Sequence, residues 1–188
     1  SLLAPAMLRT ATISPCGSYR YDLTRHWAET PPVLWVMLNP STADANIDDP
    51  TIRRCIGFTK SWGYGSLAVV NLFALRSTDP KALRSHPDPG GPENVDHIDQ
   101  WVDRCVFGVA AWGAYSDPPA WKKRAGIEAT FRLRGKELFA LGTTKDGSPR
   151  HPLELLRRSQ HGRRRRPSVR GARRGIRRGR QGLARTRR

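Results

Sequence analysis

Cysteine is scarce in this sequence. Its 188 residues contain three cysteines, Cys16, Cys55 and Cys105, and no two of them form a Cys-x-x-Cys pair. Their odd number and wide spacing argue against a disulfide framework, a zinc knuckle and a four-cysteine iron–sulfur centre. We therefore expect reduced thiols, a cytoplasmic location, no bound metal and no other cofactor.

Long apolar runs are missing as well. No run reaches the roughly 18 residues of a membrane-spanning helix. Segment 2–8 is too short and too poor in basic residues to be a signal peptide, so we expect no membrane partner. The motifs GxGxxG, Walker A, GxSxG and HExxH are also absent. Their absence argues against the standard dinucleotide, P-loop, hydrolase and zinc-protease sites.

Acidic residues are absent from residues 157–188, which contain 15 arginines. Because the whole chain has a formal charge of +17, residues 1–156 carry only +2, the difference between 17 and 15. The sequence therefore predicts one near-neutral domain over 1–156, long enough for a sizeable core. Residues 157–188 have few apolar side chains to bury and are predicted to be a disordered tail.

The tail has two interpretations. As a native arm, it would bind nucleic acid through phosphate groups with little choice of sequence. Alternatively, arginine- and glycine-rich sequence of this kind results from out-of-frame translation of a GC-rich gene, and the tail would then not be native. Neither interpretation decides what the domain does.

Short apolar runs alternate with helix-like segments along the domain. Four runs predict buried strands: 34–38, 66–73, 106–112 and 137–141. Three segments predict helices: from Pro50 with Asp48 or Asp49 as its cap, 93–104, and 120–134. Segment 11–25 predicts an edge strand or hairpin arm. This alternation predicts a three-layer α/β/α fold with a mostly parallel, four-stranded central sheet.

Polar residues follow the predicted strands, and the carboxyl ends of parallel strands share one edge of a sheet, where ligands bind. Asn39 could orient a water or bind a base, or its side chain could form an Asx-turn. Asn71 could read the edge of a base or hydrogen-bond a loop. His151 could donate to a developing oxyanion or lie in a surface loop. Arg76 and Lys145 are candidate phosphate contacts, or solvated surface.

Several motifs resemble the family called domain of unknown function 1643, a group of uncharacterised bacterial and phage proteins. The similarity covers roughly residues 12–153, and it implies no activity. The motifs that carry it are Asn39-Pro-Ser-Thr-Ala-Asp44, Asp48-Asp-Pro-Thr-Ile-Arg-Arg-Cys55, Trp62-Gly-Tyr-Gly65, Val69-Val-Asn-Leu-Phe73, Gly91-Pro-Glu-Asn94, Ala111-Trp-Gly113 and Leu141-Gly-Thr-Thr-Lys-Asp-Gly147 with His151-Pro-Leu153.

A weaker resemblance is to the uracil-DNA glycosylase superfamily. Leu38-Asn-Pro-Ser41 resembles the first-strand motif of those enzymes, His151-Pro-Leu153 resembles their closing motif, and Asn71 falls at their base-reading asparagine. The resemblance implies that Asn39 positions water, Asn71 binds the flipped base and His151 stabilises charge on the leaving base. Ser41 stands in place of a glycine, and His151-Pro152 lacks the following Ser-Pro.

These observations predict a uracil-DNA glycosylase-like fold and a nucleic-acid or nucleotide base-processing enzyme, an N-glycosidic bond hydrolase. Asn39 and His151 are the predicted catalytic residues. Seven residues are predicted to bind the substrate: Asn71, Pro40, Ser41, Thr42, Phe73, Arg76 and Lys145. The alternatives are a non-catalytic module that binds a nucleotide or DNA, and a phage-type enzyme that acts on modified nucleotides.

Overall fold

The computed structural model describes residues 6–115, 117–155 and 184–185. These residues form seven strands, four α-helices and one 3-10 turn in the order β1 (Leu8–Ile13), β2 (Arg20–His26), β3 (Val33–Met37), α1 (Pro50–Ser61), β4 (Ser66–Asn71), α2 (Ala82–Ser85), α3 (Asn94–Arg104), β5 (Gly108–Ala110), α4 (Pro118–Leu133), β6 (Leu138–Ala140), the 3-10 turn (Pro152–Leu155) and β7 (Ala184–Arg185).

The strands form one mixed sheet in the order β1-β2-β4-β3-β5-β6-β7. Strand β3 pairs in parallel with β4 and β5, and β5 pairs in parallel with β6. Strands β1 and β2 form an antiparallel hairpin, and β2 also pairs antiparallel with β4. The α/β class is therefore confirmed. The sheet as a whole is mixed and longer than four strands, because the hairpin joins it through a full ladder with β4.

The short strand β7 lies at the far edge of this sheet. Its two residues pair antiparallel with Phe139 and Ala140 of β6. The other residues of the tail predicted to be disordered lie outside the described residues.

Helices cover both faces of the sheet because the buried strands are apolar on both sides. All five residues of β3 are buried. Leu34 and Val36 pack in one core with α3 and α4, whereas Val33, Trp35 and Met37 pack in the other core with α1. This alternation follows the two-residue period of a strand and fixes the register of β3 between the two helical layers.

Helix α1 begins where the sequence predicts. The Asp49 carboxylate accepts a hydrogen bond from the Ile52 amide at 2.8 Å, and Pro50 occupies the first helical position. Ile52, Cys55 and Ile56 face the sheet with helical spacing. The other predicted cap, Asp48, instead pairs with two arginines.

Strand β5 is shorter than its apolar run predicts. The run covers 106–112, but the strand covers Gly108–Ala110. The chain then turns at Gly113, whose φ of +74° favours glycine. Gly108 also lets α4 approach, since a side chain there would lie 2.3 Å from the Phe131 ring.

The three cysteines are free thiols; Cys16 is exposed, and Cys55 and Cys105 are buried. Burial raises the pKa of Cys55 well above its ordinary value and that of Cys105 to about 11. Among the described residues, no helix is both long enough and apolar enough to cross a membrane.

Candidate functional site

A cavity of about 210 Å³ opens at the carboxyl ends of β3, β4 and β5. The chain passes from β3 to β4 on one side and later to β5 on the other side of β3. The winding direction therefore reverses at β3, and open α/β sheets bind ligands at such a reversal. Met37, Asn71 and Trp112 contribute side chains from the ends of these three strands.

Four of the residues singled out in the sequence line this cavity: Asn39, Ser41, Asn71 and His151. The strand-end rule explains the meeting of Asn39 and Asn71, since Met37 of β3 pairs directly with Asn71 of β4. His151 reaches the same cavity from the segment that precedes the 3-10 turn.

The other predicted substrate-binding residues lie outside the lining of this cavity. Pro40 is buried, and Thr42 and Lys145 are exposed. Arg76 donates from Nη1 to the Gly17 carbonyl at 3.1 Å. Phe73 lines a second cavity instead. Substrate binding by these five residues stays a prediction.

Asn71 has the least explained side chain in the protein. It is 0% exposed, and within the described part of the chain neither Nδ2 nor Oδ1 has a hydrogen-bond partner. Leaving a buried polar group unpaired costs about 1–3 kcal/mol. The Asn71 side chain makes no hydrogen bond to a loop among the described residues. Its backbone carbonyl accepts a hydrogen bond from Asn94 Nδ2 at 2.9 Å. Asn71 is also one of the residues that line the cavity, which is the arrangement expected of a ligand-binding group.

The two side-chain atoms of Asn39 have different roles: Nδ2 forms structural hydrogen bonds, and Oδ1 accepts none from the described residues. Its Nδ2 donates to the carbonyls of Ser77 at 2.9 Å and Pro40 at 3.1 Å, which ties two loops together. Among the described residues, nothing donates to its Oδ1, so this oxygen is able to accept a hydrogen bond from a water in the cavity. The turn and the water-binding interpretations are therefore compatible.

His151 is held as a neutral donor. Burial lowers the pKa of its imidazole, against the opposing charges of Glu154 and Asp49. Its Nδ1 accepts the Leu153 amide at 3.3 Å. The proton of the neutral ring therefore lies on Nε2, and this N–H is available to a ligand.

The lining also includes residues that the sequence did not single out as site residues, among them Arg20, Asp49 and Trp112. Trp112 Nε1 and Arg20 Nε are buried and have no partner among the described residues. For Asp49 the sequence favoured helix capping over a role as metal ligand or base, and the structure shows that it caps α1. Trp112 follows a strand end, so the rule that found Asn71 could have identified it. Arg20 carried no such signal, because its segment looks like an exposed edge arm.

The loop between β3 and α1 is fixed from below by Arg25, which is 0% exposed. Its Nε donates to Asp48 at 2.8 Å and its Nη2 donates to the Asp44 carbonyl at 2.6 Å. Arg9 binds the second oxygen of Asp48 at 2.7 Å. These bonds set the position of Asp49 and therefore one wall of the cavity.

A second, larger cavity of about 550 Å³ lies beside α2 and α4. Three of its polar groups are paired with one another: Arg84 Nη2 donates to Asp117 at 2.7 Å, and the Tyr115 hydroxyl donates to the same carboxylate at 2.7 Å. This cavity is the larger of the two, but the smaller cavity is lined by residues whose buried polar atoms have no hydrogen-bond partner among the described residues. We take the smaller cavity as the candidate site, because its groups still lack partners.

The candidate site is suited to a small planar ligand with an amide-like edge. It combines the free amide of Asn71, the indole N–H of Trp112, the Nε2–H of His151 and the acceptor oxygen of Asn39. In the part of the chain that the structure describes, no group of three His, Cys, Asp or Glu side chains is placed to hold a metal ion.

One family model, described as "Protein of unknown function (DUF1643)", matches residues 20–153. Comparisons with curated proteins and with solved structures find no match. The matched range includes every residue that lines the candidate site, from Arg20 to His151. The family predicted from the sequence motifs is therefore confirmed, and the chain belongs to the DUF1643 family of proteins of unknown function.

Proposed function

We propose that this protein binds a nucleobase in the strand-end cavity and hydrolyses its N-glycosidic bond. The observation that carries the proposal is the buried, unpaired amide of Asn71 in a cavity shared with Asn39 and His151. An asparagine presents a donor and an acceptor side by side, which matches the edge of a base. The cavity is smaller than the roughly 300–1,000 Å³ of drug-sized pockets, which suits a single base.

The architecture supports the same proposal. The parallel strands stand in the order β4-β3-β5-β6, and helices cover both faces. This arrangement is what we expect of a three-layer, glycosylase-like fold with its ligand at the winding reversal. A base that enters the cavity must leave its stack, as in enzymes that extrude a nucleotide.

The proposed reaction uses one water. The bond between the sugar C1′ and the base nitrogen breaks, and its electron pair stays on the base. The Nε2–H of His151 donates to the base as this charge grows. A water bound to Asn39 Oδ1 adds to C1′ and supplies the new hydroxyl, and its proton passes to the base. Asp49 lines the same cavity, and in this proposal its carboxylate orients the water.

A non-catalytic nucleotide-binding module is the second candidate. It is favoured by one observation, the engagement of Asn39 Nδ2 with the carbonyls of Ser77 and Pro40. That engagement stabilises a binding site without requiring chemistry at Asn39.

The test is a base-release assay on oligonucleotides containing uracil, hypoxanthine, thymine mismatches or alkylated bases, together with free modified nucleotides. Asn39→Ala should abolish release while folding stays intact, because the attacking water loses its acceptor. His151→Ala should slow the chemical step by about 10²–10³-fold without preventing binding, as expected for loss of one oxyanion donor. Asn71→Ala should weaken the choice of base, since its amide also contacts the ground state.

The matched control is Asn46→Ala. Asn46 is exposed, and its side chain makes no hydrogen bond within the described residues, so release should be unchanged. If the wild-type domain releases none of the bases, the hydrolase proposal is wrong. Tight nucleotide binding in the same panel would then support the binding module.

A further inference from the structure

Arg20 is a buried cation without a counter-ion. It begins β2 and is 2% exposed. Its Nη1 donates to the Ala43 carbonyl at 2.7 Å, and its Nε is buried without a partner. No ion pair in the described ranges involves Arg20. Burying a charge costs stability unless it is paired, so this guanidinium needs an explanation.

A comparison with Arg25 shows that Arg20 differs from the other buried arginine of the same strand in lacking a carboxylate partner. Both arginines lie on β2 and both are buried, but Arg25 contacts the Asp48 carboxylate at 2.8 Å. Burial lowers the pKa of Arg20 to about 10, helped by the charges of Arg76 and Arg25 and opposed by those of Asp49 and Asp22. Arg20 is therefore still protonated at neutral pH. Asp49 offsets this charge from a distance, because its carboxylate caps α1 instead of contacting Arg20.

Arg20 lines the same cavity as Asn71, whose amide is expected to read the base. Strand β2 neighbours β4, and the Arg20 amide donates to the Ala74 carbonyl just beyond the end of β4. Arg20 and Asn71 line the same cavity, and His151 enters it from beyond β6 in the chain. A base whose edge is held by Asn71 in so small a cavity therefore lies within reach of the guanidinium.

We propose that Arg20 is a further catalytic residue, which contacts the bound base and stabilises the negative charge that the base acquires as its glycosidic bond breaks. This inference rests on the proposed function and deepens it. The electron pair of the broken bond stays on the base beside the guanidinium, until the proton of the attacking water neutralises it. The site should consequently favour bases that carry oxo groups and ionise readily, because these place negative charge where Arg20 can bind it.

The first experiment measures binding of two free bases, uracil and nitrouracil, to the full chain by calorimetry across a pH series. The bases share a ring and both oxo groups, but nitrouracil ionises at lower pH. As nitrouracil ionises, its affinity should rise about 10–100-fold, the range of a charge-assisted hydrogen bond. The affinity of uracil should stay flat over the same range. Arg20→Met should remove the rise and leave the affinity for neutral uracil within about 3-fold.

Two other variants separate charge from packing. Arg20→Lys keeps the cation and should keep part of the rise. Arg134→Met removes an arginine that is paired with Asp103 and does not line the cavity, so it should leave the preference for nitrouracil intact. A merely structural Arg20 would change stability alone, and the pH dependence of nitrouracil binding would then not respond to its replacement.

The second experiment measures release of bases of graded acidity. Arg20→Met should slow release by about 10²-fold, most strongly for the least acidic base, which develops the most charge. If wild-type protein binds ionised nitrouracil no better than uracil, the proposal is overturned without any variant. Release that is insensitive to Arg20→Met overturns it too, while the hydrolase function stands. An anion preference that depends on Arg20, with no base released, supports the contact of Arg20 with an anion and overturns the hydrolase function.

Discussion

At the scale of single residues, the protonation state of His151 decides the pH range of the proposed reaction. Burial holds its pKa below the ordinary value, so the neutral donor persists into mildly acidic solution. The rate of base release should fall in acid with a midpoint below the ordinary pKa value of histidine, because protonation of Nδ1 breaks the hydrogen bond from the Leu153 amide that orients the ring. A pH–rate profile with its acid limb above this value would contradict the assignment. His151→Asn, which cannot titrate, should flatten that limb at a lower rate.

The same shift has a consequence for stability with a defined sign. Since the pKa of His151 is lower in the folded protein than in the unfolded chain, its contribution to stability is present above the unfolded pKa. That contribution is lost as the pH falls through the folded pKa. Both the rate of base release and this contribution to stability should therefore decrease as the pH falls.

The sequence predicted the site residues that follow strands, Asn39 and Asn71, but it did not predict Arg20, which a loop covers. Asn39 and Asn71 were predictable because β3 and β4 are parallel neighbours, and each asparagine stands at a strand end. Arg20 was not, because its burial depends on the loop that carries Ala43. The local sequence around an edge strand does not reveal which loop folds over it.

At the scale of elements, helix α1 offers a test that separates capping from chemistry. Asp49 is its cap and also lines the cavity. Asp49→Ala should lower the free energy of unfolding by about 1 kcal/mol through loss of the cap, whereas Asp49→Asn should cost less, because asparagine is an equally good cap and only the charge that offsets Arg20 is lost. Denaturant unfolding measures both variants.

Base release then decides the role of the charge. Asp49→Asn keeps the helix start and removes the carboxylate, so slower release at unchanged stability would show that the charge acts on the water. Equal release by the wild type and Asp49→Asn would restrict Asp49 to capping.

Periodicity predicted the types of these elements better than their lengths. The helix from Pro50 was predicted at its correct start, since proline and a capping aspartate mark it locally. Strand β5 covers less than its apolar run, because only Gly108–Ala110 pair with both β3 and β6. The Val106 and Ala111 amides still donate to the Pro32 and Val36 carbonyls beside the ladder. Apolar composition indicates burial, and pairing depends on partners elsewhere in the chain.

At the scale of the whole molecule, the positive charge is concentrated in residues 157–188. Deleting these residues should leave the melting temperature nearly unchanged, because the buried residues of β6, Leu138 and Ala140, remain in the core. The same deletion should remove most salt-sensitive DNA binding. The salt slope should fall by roughly 0.9 for each DNA phosphate that arginines of the tail would otherwise neutralise.

Thermal melts and DNA titrations at several salt concentrations measure these effects. A large fall in melting temperature would instead show that the pairing of Ala184–Arg185 with β6 stabilises the sheet edge. A DNA affinity that does not change with salt concentration would show that the tail does not bind DNA through its charge.

The buried polar groups of Asn71 and Arg20 that lack partners should lower the stability of the protein while they serve ligand binding. Apolar replacements of Asn71 or Arg20 would relieve buried polar groups that have no partner in the described structure. Laboratory evolution for heat resistance alone would therefore tend to erase this cavity first, and a thermostable descendant would fold well and bind nothing. Any selection for a hardier form of this protein needs ligand binding as a second criterion.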